Sequence, residues 1–472
     1  MQLEKPTSGP IFDVVQRARA AQAVVDSYDQ ARVDELVDAA GWAIIEPTRN
    51  QSLAERAVAD TGIGNVADKV RKNYRKTLGL LRDLKGAKSV GVIARDPQNG
   101  ITEIARPVGV VCAITPSTNP GATPANKIIN AIKGRNAVIV APSPKGLGTA
   151  TKLVAYIHAQ FDRIGAPRDL VQVLPAPINK QATADLMALV DLVVATGSQA
   201  NVRAAYTSGT PAFGVGAGNV AGIVDETADI EATADRIVRS KTFDNATSCS
   251  SENSVVVVAS AREKLLASLE KRGAYLLDAE QTDRLQALMW PNGKLSGDVT
   301  GKSAAAIAAL AGFAELVERE PKILLVEQSA DSVGPDFPYS GEKLSPVLTF
   351  YTVPDFDACA SLVARIYQWQ GAGHSVGLHT TRPERAMQLG LTLPVSRVIV
   401  SQAHCIAVGG SFDNGLPFSL SMGCGTWGGN NFSENMNYKH YLNITRIAEP
   451  IPEVVPNEND LLSTYFEKYG AH

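Results

Sequence analysis

The sequence predicts an α/β protein of at least two packed units, and three observations carry that prediction. The chain has 472 residues, beyond the roughly 250–300 at which a single hydrophobic core stops growing. From Val108 onward, continuous apolar runs alternate with helical segments, the pattern of a parallel sheet covered on both faces. Around Phe243 that rhythm breaks and a second one begins. Hydrophobic residues make up 45% of the chain, ample for two cores.

Taken in order, residues 11–45 place apolar side chains at helical spacing (Val14, Val15, Ala18; Val33, Leu36, Val37, Ala40) and predict two amphipathic helices in an outer layer. Residues 69–88 carry Arg71, Lys72, Arg75, Lys76, Arg82 and Lys85 on a further helix. The expectation there is a solvated face, with a phosphate-rich ligand as the alternative. Two short strand-like runs, 89–95 and 101–106, bracket Asp96-Pro-Gln-Asn-Gly100 and predict a projecting hairpin whose edges a second subunit could cover.

The first alternating unit takes its strands from 108–114, 137–141, 170–174, 189–195 and 220–224, with helices over 126–133, 145–161 and 230–240. In such a doubly wound sheet, ligands bind in loops at the C-terminal strand ends. Two loops there stand out, Thr115-Pro-Ser-Thr-Asn-Pro-Gly121 and Thr196-Gly-Ser198. A Gly-Ser step opening a helix offers free N–H groups to a pyrophosphate, though such residues also serve as plain helix caps. Phe213-Gly-Val-Gly-Ala-Gly-Asn219 is not a Gly-x-Gly-x-x-Gly fingerprint; its glycines predict close approach of backbone to a ligand or a neighbouring loop. The second unit reads as strands 255–258, 322–326, 347–352, 375–379 and 398–400 with helices 261–271, 278–288, 302–310 and 355–368, then a loop over 420–430 and a polar tail with a strand-like run over 441–448.

Composition narrows the function classes. Forty-five Lys and Arg against 48 Asp and Glu give a net charge of −3, which predicts neither nucleic acid nor a membrane surface as partner. The N-terminal stretch lacks a signal-peptide pattern and no apolar run nears ~18 residues, so a cytoplasmic enzyme acting on small molecules is the expectation. Five cysteines, never spaced Cys-x-x-Cys, argue against a disulfide framework or metal site.

One thiol differs from the others in context. Cys249 lies among small hydroxylic residues in Phe243-Asp-Asn-Ala-Thr-Ser-Cys-Ser-Ser-Glu-Asn-Ser254, between a predicted helix and a buried strand. That window by itself favours an inert thiol in a small-residue loop; a boundary position also suits a reachable nucleophile. Near a dinucleotide-type sheet, such a thiol suggests aldehyde oxidation through a thiohemiacetal and a thioester, which requires oxyanion donors. Asn119 and the backbone N–H of Cys249 are the candidates, the alternative for Asn119 being a turn-forming Asn-Pro.

These pieces together resemble the aldehyde dehydrogenase superfamily, and within it the coenzyme-A-acylating branch that includes the aldehyde dehydrogenase half of bifunctional aldehyde/alcohol dehydrogenases. The resemblance covers residues 106–443 and rests on Ile-Thr-Pro-Ser-Thr-Asn-Pro (114–120), Ala-Thr-Gly-Ser (195–198), Gly-Val-Gly-Ala-Gly-Asn (214–219), Phe-Asp-Asn then Cys-Ser-Ser-Glu (243–252), Glu-Lys-Leu-Ser-Pro-Val-Leu (342–348) and Gly-Cys-Gly-Thr-Trp-Gly-Gly-Asn (423–430). It implies Cys249 as nucleophile, Asn119 as oxyanion donor, a cofactor site of Thr115, Pro116, Gly197, Ser198, Gly216 and Leu344, and Glu342 as partner of the nicotinamide ribose. It also implies an NAD(P)-binding domain over 1–242 with hairpin 89–106 as oligomerisation element, a catalytic domain over 243–425, and a return to the cofactor domain with an oligomerisation tail over 426–472, in a homodimer or homotetramer.

The departures matter as much. Hydrolytic members of the superfamily carry a glutamate base in a Glu-Leu-Gly-Gly loop, where this chain has Gly214-Val-Gly-Ala-Gly218. Without a base for water, the acyl-enzyme awaits a better nucleophile, and coenzyme A brings a thiol. The usual Lys-Pro-Ser-Glu appears as Ala141-Pro-Ser-Pro144 followed by Lys145, leaving NAD and NADP both open, with Lys145 either meeting a 2′-phosphate or solvated. His374 matches a Gly-His position where the resemblance implies acid/base work; the alternative is a histidine that only hydrogen-bonds at the domain interface. Residues 402–420 look most like acylating sulfoacetaldehyde dehydrogenases, with acetaldehyde the rival substrate; Arg203, Ser411 and His404 are candidate donors for a sulfonate. A hydrolytic aldehyde dehydrogenase, an acyl-phosphate reductase and a non-catalytic nucleotide-binding scaffold are the competing readings.

Overall fold

The computed structural model describes residues 6–470; the first five residues, part of the stretch read for a signal peptide, lie outside it. Four helices open the chain: α1 (Pro10–Asp26), α2 (Gln30–Ile45), α3 (Pro47–Thr61) and α4 (Val66–Leu84). Asp29 caps α2 by accepting from the Arg32 N–H, and Asn65 caps α4 by accepting from the Asp68 N–H. The apolar positions that predicted α1 and α2 are buried, as helical amphipathicity requires. Helix α4 departs from expectation. Lys69 and Lys72 are 2% and 5% exposed and turned into the protein, whereas Arg71, Arg82 and Lys85 remain exposed as expected.

The first sheet is parallel and ordered β5-β4-β3-β6-β7, from β3 (Val110–Thr115), β4 (Ala137–Pro142), β5 (Val171–Val173), β6 (Leu192–Thr196) and β7 (Ala212–Val215). Strands β3 and β4 are buried along their whole length, which is why they read as unbroken Val/Ile/Ala runs. The order reverses at β3/β6, and the crevice beyond that switch point is where a doubly wound sheet takes its ligand. Strand β7, absent from the strands that the sequence predicts, takes in the start of the glycine-rich stretch, pairing Phe213 and Gly214 with Val194 and Ala195.

The second sheet is ordered β10-β11-β12-β9-β8-β13-β14 and is also parallel, from β8 (Val220–Val224), β9 (Glu252–Val258), β10 (Ala274–Leu276), β11 (Ile323–Gln328), β12 (Val347–Val353), β13 (Val376–His379) and β14 (Val398–Val400). One strand changes units. The run 220–224, which the sequence places at the end of the first unit, pairs Ala221 with both Ser254 and Val376 at the centre of the second sheet. The crossing between sheets therefore falls in the loop after Val215, well before the expected boundary at 242. A buried strand carries the same Val/Ala/Ile pattern in either sheet, so periodicity does not say which one it joins.

The hairpin β1 (Gly91–Asp96) and β2 (Ile101–Pro107) is joined antiparallel by the tail strand β15 (Leu442–Ala448) in a separate three-stranded sheet. Beyond it stands a helix, Glu458–Tyr469, where the sequence predicts only a polar tail. Its apolar residues at 461, 462, 465 and 469 carry a helical period too sparse to register beside so many polar neighbours.

Candidate active site

The segment before β9 is held by buried charge. Asp244, Asn245 and Ala246 all adopt left-handed backbone, with φ of 51°, 52° and 55°, a conformation that non-glycine residues keep only when their surroundings hold them there. What holds them is the Asp244 carboxylate, fully buried and accepting from Lys69 Nζ at 3.1 Å, from Lys72 Nζ, from Thr247 Oγ1 at 2.9 Å and from the Asn65 N–H at 3.0 Å. Those cations pull the carboxyl below its usual range against the cost of burial. The basic helix α4 thus anchors the turn that presents Cys249.

Of the five cysteines, Cys249 is the one that is only partly buried. Its Sγ lies 3.5 Å from His374 Nε2. His374 Nδ1 meets Ser375 Oγ at 2.7 Å, and that hydroxyl meets His404 Nε2 at 2.8 Å. Burial, with the nearby Arg397 guanidinium, pushes His374 down to about 3, so the ring is neutral and keeps one nitrogen lone pair free. Burial and then the nearby Glu342 carboxylate raise the Cys249 thiol above its ordinary value. The glycine loop crosses the Cys249 backbone closely: a Cβ on Gly218 would sit 2.4 Å from the Cys249 carbonyl oxygen and 3.1 Å from the His374 ring. Only glycine fits there. The Gly218 N–H donates to Glu342 Oε1 at 3.2 Å, and burial pushes that carboxyl up to about 8.

Asn119 is oriented by a second donor from α4. Lys72 Nζ donates to Asn119 Oδ1 at 2.7 Å, which directs the Nδ2 amide hydrogens elsewhere. Asn119 and Ser248, the residue preceding the thiol, line one cavity of about 260 Å³.

A second cleft, of about 600 Å³, opens at the ends of β3 and β4 and runs to the helices Lys180–Leu189 and Gln199–Tyr206. Its walls are mainly apolar, and two hydroxyls, Thr115 Oγ1 and Ser143 Oγ, are buried without a hydrogen-bond partner. Unpartnered buried hydroxyls beside an apolar slot at the C-terminal strand ends suit the adenosine half of a dinucleotide. Pro116 and Gly197 face each other across this end of the sheet: a Cβ on Gly197, whose φ is 153°, would lie 3.8 Å from the Pro116 Cβ.

Residues 4–285 match the aldehyde dehydrogenase family. The chain belongs to that family. It is 64% identical over 457 residues to the acylating sulfoacetaldehyde dehydrogenase of Cupriavidus necator, spanning 97% of this chain and 92% of that one. An acetylating aldehyde dehydrogenase from Geobacillus thermoglucosidasius superposes with a TM-score of 0.90 at 35% identity over 95% and 98% of the two chains. The propionaldehyde dehydrogenase of Rhodopseudomonas palustris, solved with bound CoA and an acylated cysteine, gives 0.82 at 25% identity over 93% and 97%.

Within this aldehyde dehydrogenase, several expected site residues sit where a ligand could reach them and others do not. Ser198 spends its hydroxyl on the Asn201 N–H as a helix cap. Gly216 packs against the Gln199 side chain, and Leu344, at φ 44°, accepts the Gly301 N–H on its carbonyl. Lys145 is exposed and does not line the cleft, whereas Lys180 does. Of the candidate sulfonate donors, Arg203 is exposed away from both cavities and His404 is buried and engaged with Ser375. Lys72 and Ser375 escape sequence reasoning. Lys72 sits in a run that looks like surface, and a serine after a histidine has no signal until His404 is brought to it.

Proposed function

We propose that this aldehyde dehydrogenase is coenzyme-A-acylating, converting aldehyde, CoA and NAD(P)⁺ to acyl-CoA and NAD(P)H in a reversible reaction, with sulfoacetaldehyde as substrate. The observation that carries the acylating reading is the loop over Cys249. It packs through Gly218 against the Cys249 backbone carbonyl and the His374 ring and offers no carboxylate of its own between Gly214 and Asn219. The 64% identity to a sulfoacetaldehyde-acylating enzyme supports the substrate.

Cys249 attacks the carbonyl carbon while His374 Nε2 takes the thiol proton, and the developing oxyanion is held by the Asn119 amide and the Cys249 N–H. NAD(P)⁺, when bound, supplies the hydride acceptor and CoA the second thiol. Thr115 and Ser143 would hold the adenosine half, with Pro116 and Gly197 at the cleft's inner end, Lys180 near its rim and Glu342 toward the nicotinamide ribose. The thioester left on Cys249 passes to the CoA thiol, which requires far less activation than water, and the loop carries no glutamate base for hydrolysis. A second copy of this chain covers the three-stranded sheet and the exposed tail helix.

The test supplies aldehyde and NAD(P)⁺ with and without CoA. Reduced cofactor should form only with CoA; equal rates without it would refute the acylating reading. Acetaldehyde outrunning sulfoacetaldehyde in kcat/KM would refute the substrate.

A further inference from the structure

Helix α4 turns Asp68, Arg71, Lys72, Arg75 and Lys76 toward the cavity that also holds Asn119 and Ser248. Arg239 enters from the facing helix Ile230–Thr242. Five cations thus surround a space of about 260 Å³ against one carboxylate. That carboxylate is already committed: Asp68 Oδ2 accepts from the Asp244 N–H and from Asn65 Nδ2, each at 2.8 Å. Lys72 is matched by Asp244, and Lys76 spends its ammonium on the carbonyls of Gly409 and Gly410 at 2.7 and 3.3 Å.

Arg75 is different. Half-buried, it has no carboxylate within ion-pair distance among the described residues, and its one side-chain acceptor is Ser411 Oγ at 3.4 Å. Its guanidinium lies over the Phe412 ring, 5.2 Å from the centroid. It lines both the inner cavity and an outer one of about 410 Å³ that also contains Arg236, Arg239, Ser411 and the Asp413 carboxylate. A partly desolvated guanidinium with unspent donors is a recognition group for a planar or tripodal oxyanion.

We propose that Arg75, supported by Arg239 and Ser411, is the subsite that holds the anionic tail of a short aldehyde, a sulfonate or carboxylate, while Asn119 receives the carbonyl oxygen at the other end of the same cavity. This rests on the reading of the chain as an acylating aldehyde dehydrogenase, and it adds the residues that would choose an anionic substrate over a neutral one. The phosphates of CoA share the same chemistry. Protection curves with CoA tell the two sources apart.

The test reads ligand occupancy without turnover. Iodoacetamide alkylation of Cys249 is followed in the whole protein with ethanesulfonate, or with its uncharged counterpart ethyl methyl sulfone, as protecting ligand. Ethanesulfonate should protect and the sulfone should protect at least ~10-fold more weakly, by the strength of charge-assisted hydrogen bonds. In Arg75→Gln the concentration for half-protection by ethanesulfonate should rise ~10-fold or more, with Arg75→Lys between the two and Arg239→Gln shifted less. Protection by CoA should be the same in all four proteins. Equal protection by the two ligands, or an Arg75→Gln curve unchanged for ethanesulfonate, overturns the subsite. A loss of CoA protection in Arg75→Gln instead assigns the charge to CoA and overturns it as well. Absence of CoA-dependent turnover would refute the acylating reading without touching these protection curves.

Discussion

His374 Nε2 stands 3.5 Å from Cys249 Sγ, at the head of a chain that continues through Ser375 Oγ to His404 Nε2. One hydroxyl shared by two rings couples their tautomers. If His374 is to accept the thiol proton on Nε2, its Nδ1–H donates to Ser375 Oγ, which in turn donates to His404. Ser375→Ala should therefore lower kcat more than it raises KM and steepen the loss of rate toward acid, while His374→Ala should cost on the order of 10²–10⁴ in kcat. Steady-state pH profiles of the two variants check this; a Ser375→Ala profile superimposable on wild type would remove the relay.

The thiol itself is expected to be a poor nucleophile in the free enzyme, because burial and Glu342 raise it above its ordinary value. Alkylation of Cys249 by iodoacetamide should accelerate from about pH 6 to about pH 9 without a plateau. A plateau below about pH 8 would mean a thiolate already formed. Cys249→Ala should abolish turnover while leaving dinucleotide binding, measured by fluorescence titration, intact.

Lys72 connects two functions, neutralising Asp244 and orienting Asn119. Removing one partner of a buried pair typically costs ~3–5 kcal/mol because the other charge is left stranded. Lys72→Met should lower stability by an amount of that order, less whatever Lys69 continues to offset. Adding Asp244→Asn should restore part of the stability, read by denaturant unfolding, yet leave kcat low, since Asn119 Oδ1 still lacks its donor. Recovery of kcat together with stability would show that Lys72 acts through the fold alone.

Acid should destabilise the protein earlier than carboxylate titration would. Burial depresses His374 to about 3 and His379 to about 4, whereas an unfolded histidine titrates near ~6.5. Below that value the unfolded chain binds protons that the folded chain refuses. Stability is thus fully present above pH ~6.5 and declines as pH falls toward ~4, by up to ~1.4 kcal/mol per pH unit for each histidine. Unfolding midpoints from about pH 7 to about pH 4.5 test the sign, and His379→Asn should flatten the slope.

The tail helix Glu458–Tyr469 leaves Leu461 at 70% and Tyr465 at 58% exposure, continuing an apolar stretch at Val454 and Val455. Removing residues 450–472 should reduce the mass found by sedimentation equilibrium. An unchanged mass would place the subunit contact elsewhere.

Sequence alone determined the elements that are fixed by local pattern. Buried parallel strands such as 110–115 announce themselves as continuous apolar runs, and the thiol in its small-residue turn at 249 is legible with Asn119 once ordered motifs join them. What it leaves undecided depends on partners distant in the chain. Strand 220–224 could join either sheet until its register with 252–257 and 376–379 is formed. The basic run on α4 looks like a solvated face because charge pattern carries no information about Asp244, which lies 172 residues from Lys72. Burial converts that face into an anchor for the Cys249 turn, a donor for Asn119 and a ring of cations around one small cavity. The chemistry of the site was written in residue types; which of them act on one another was decided by packing.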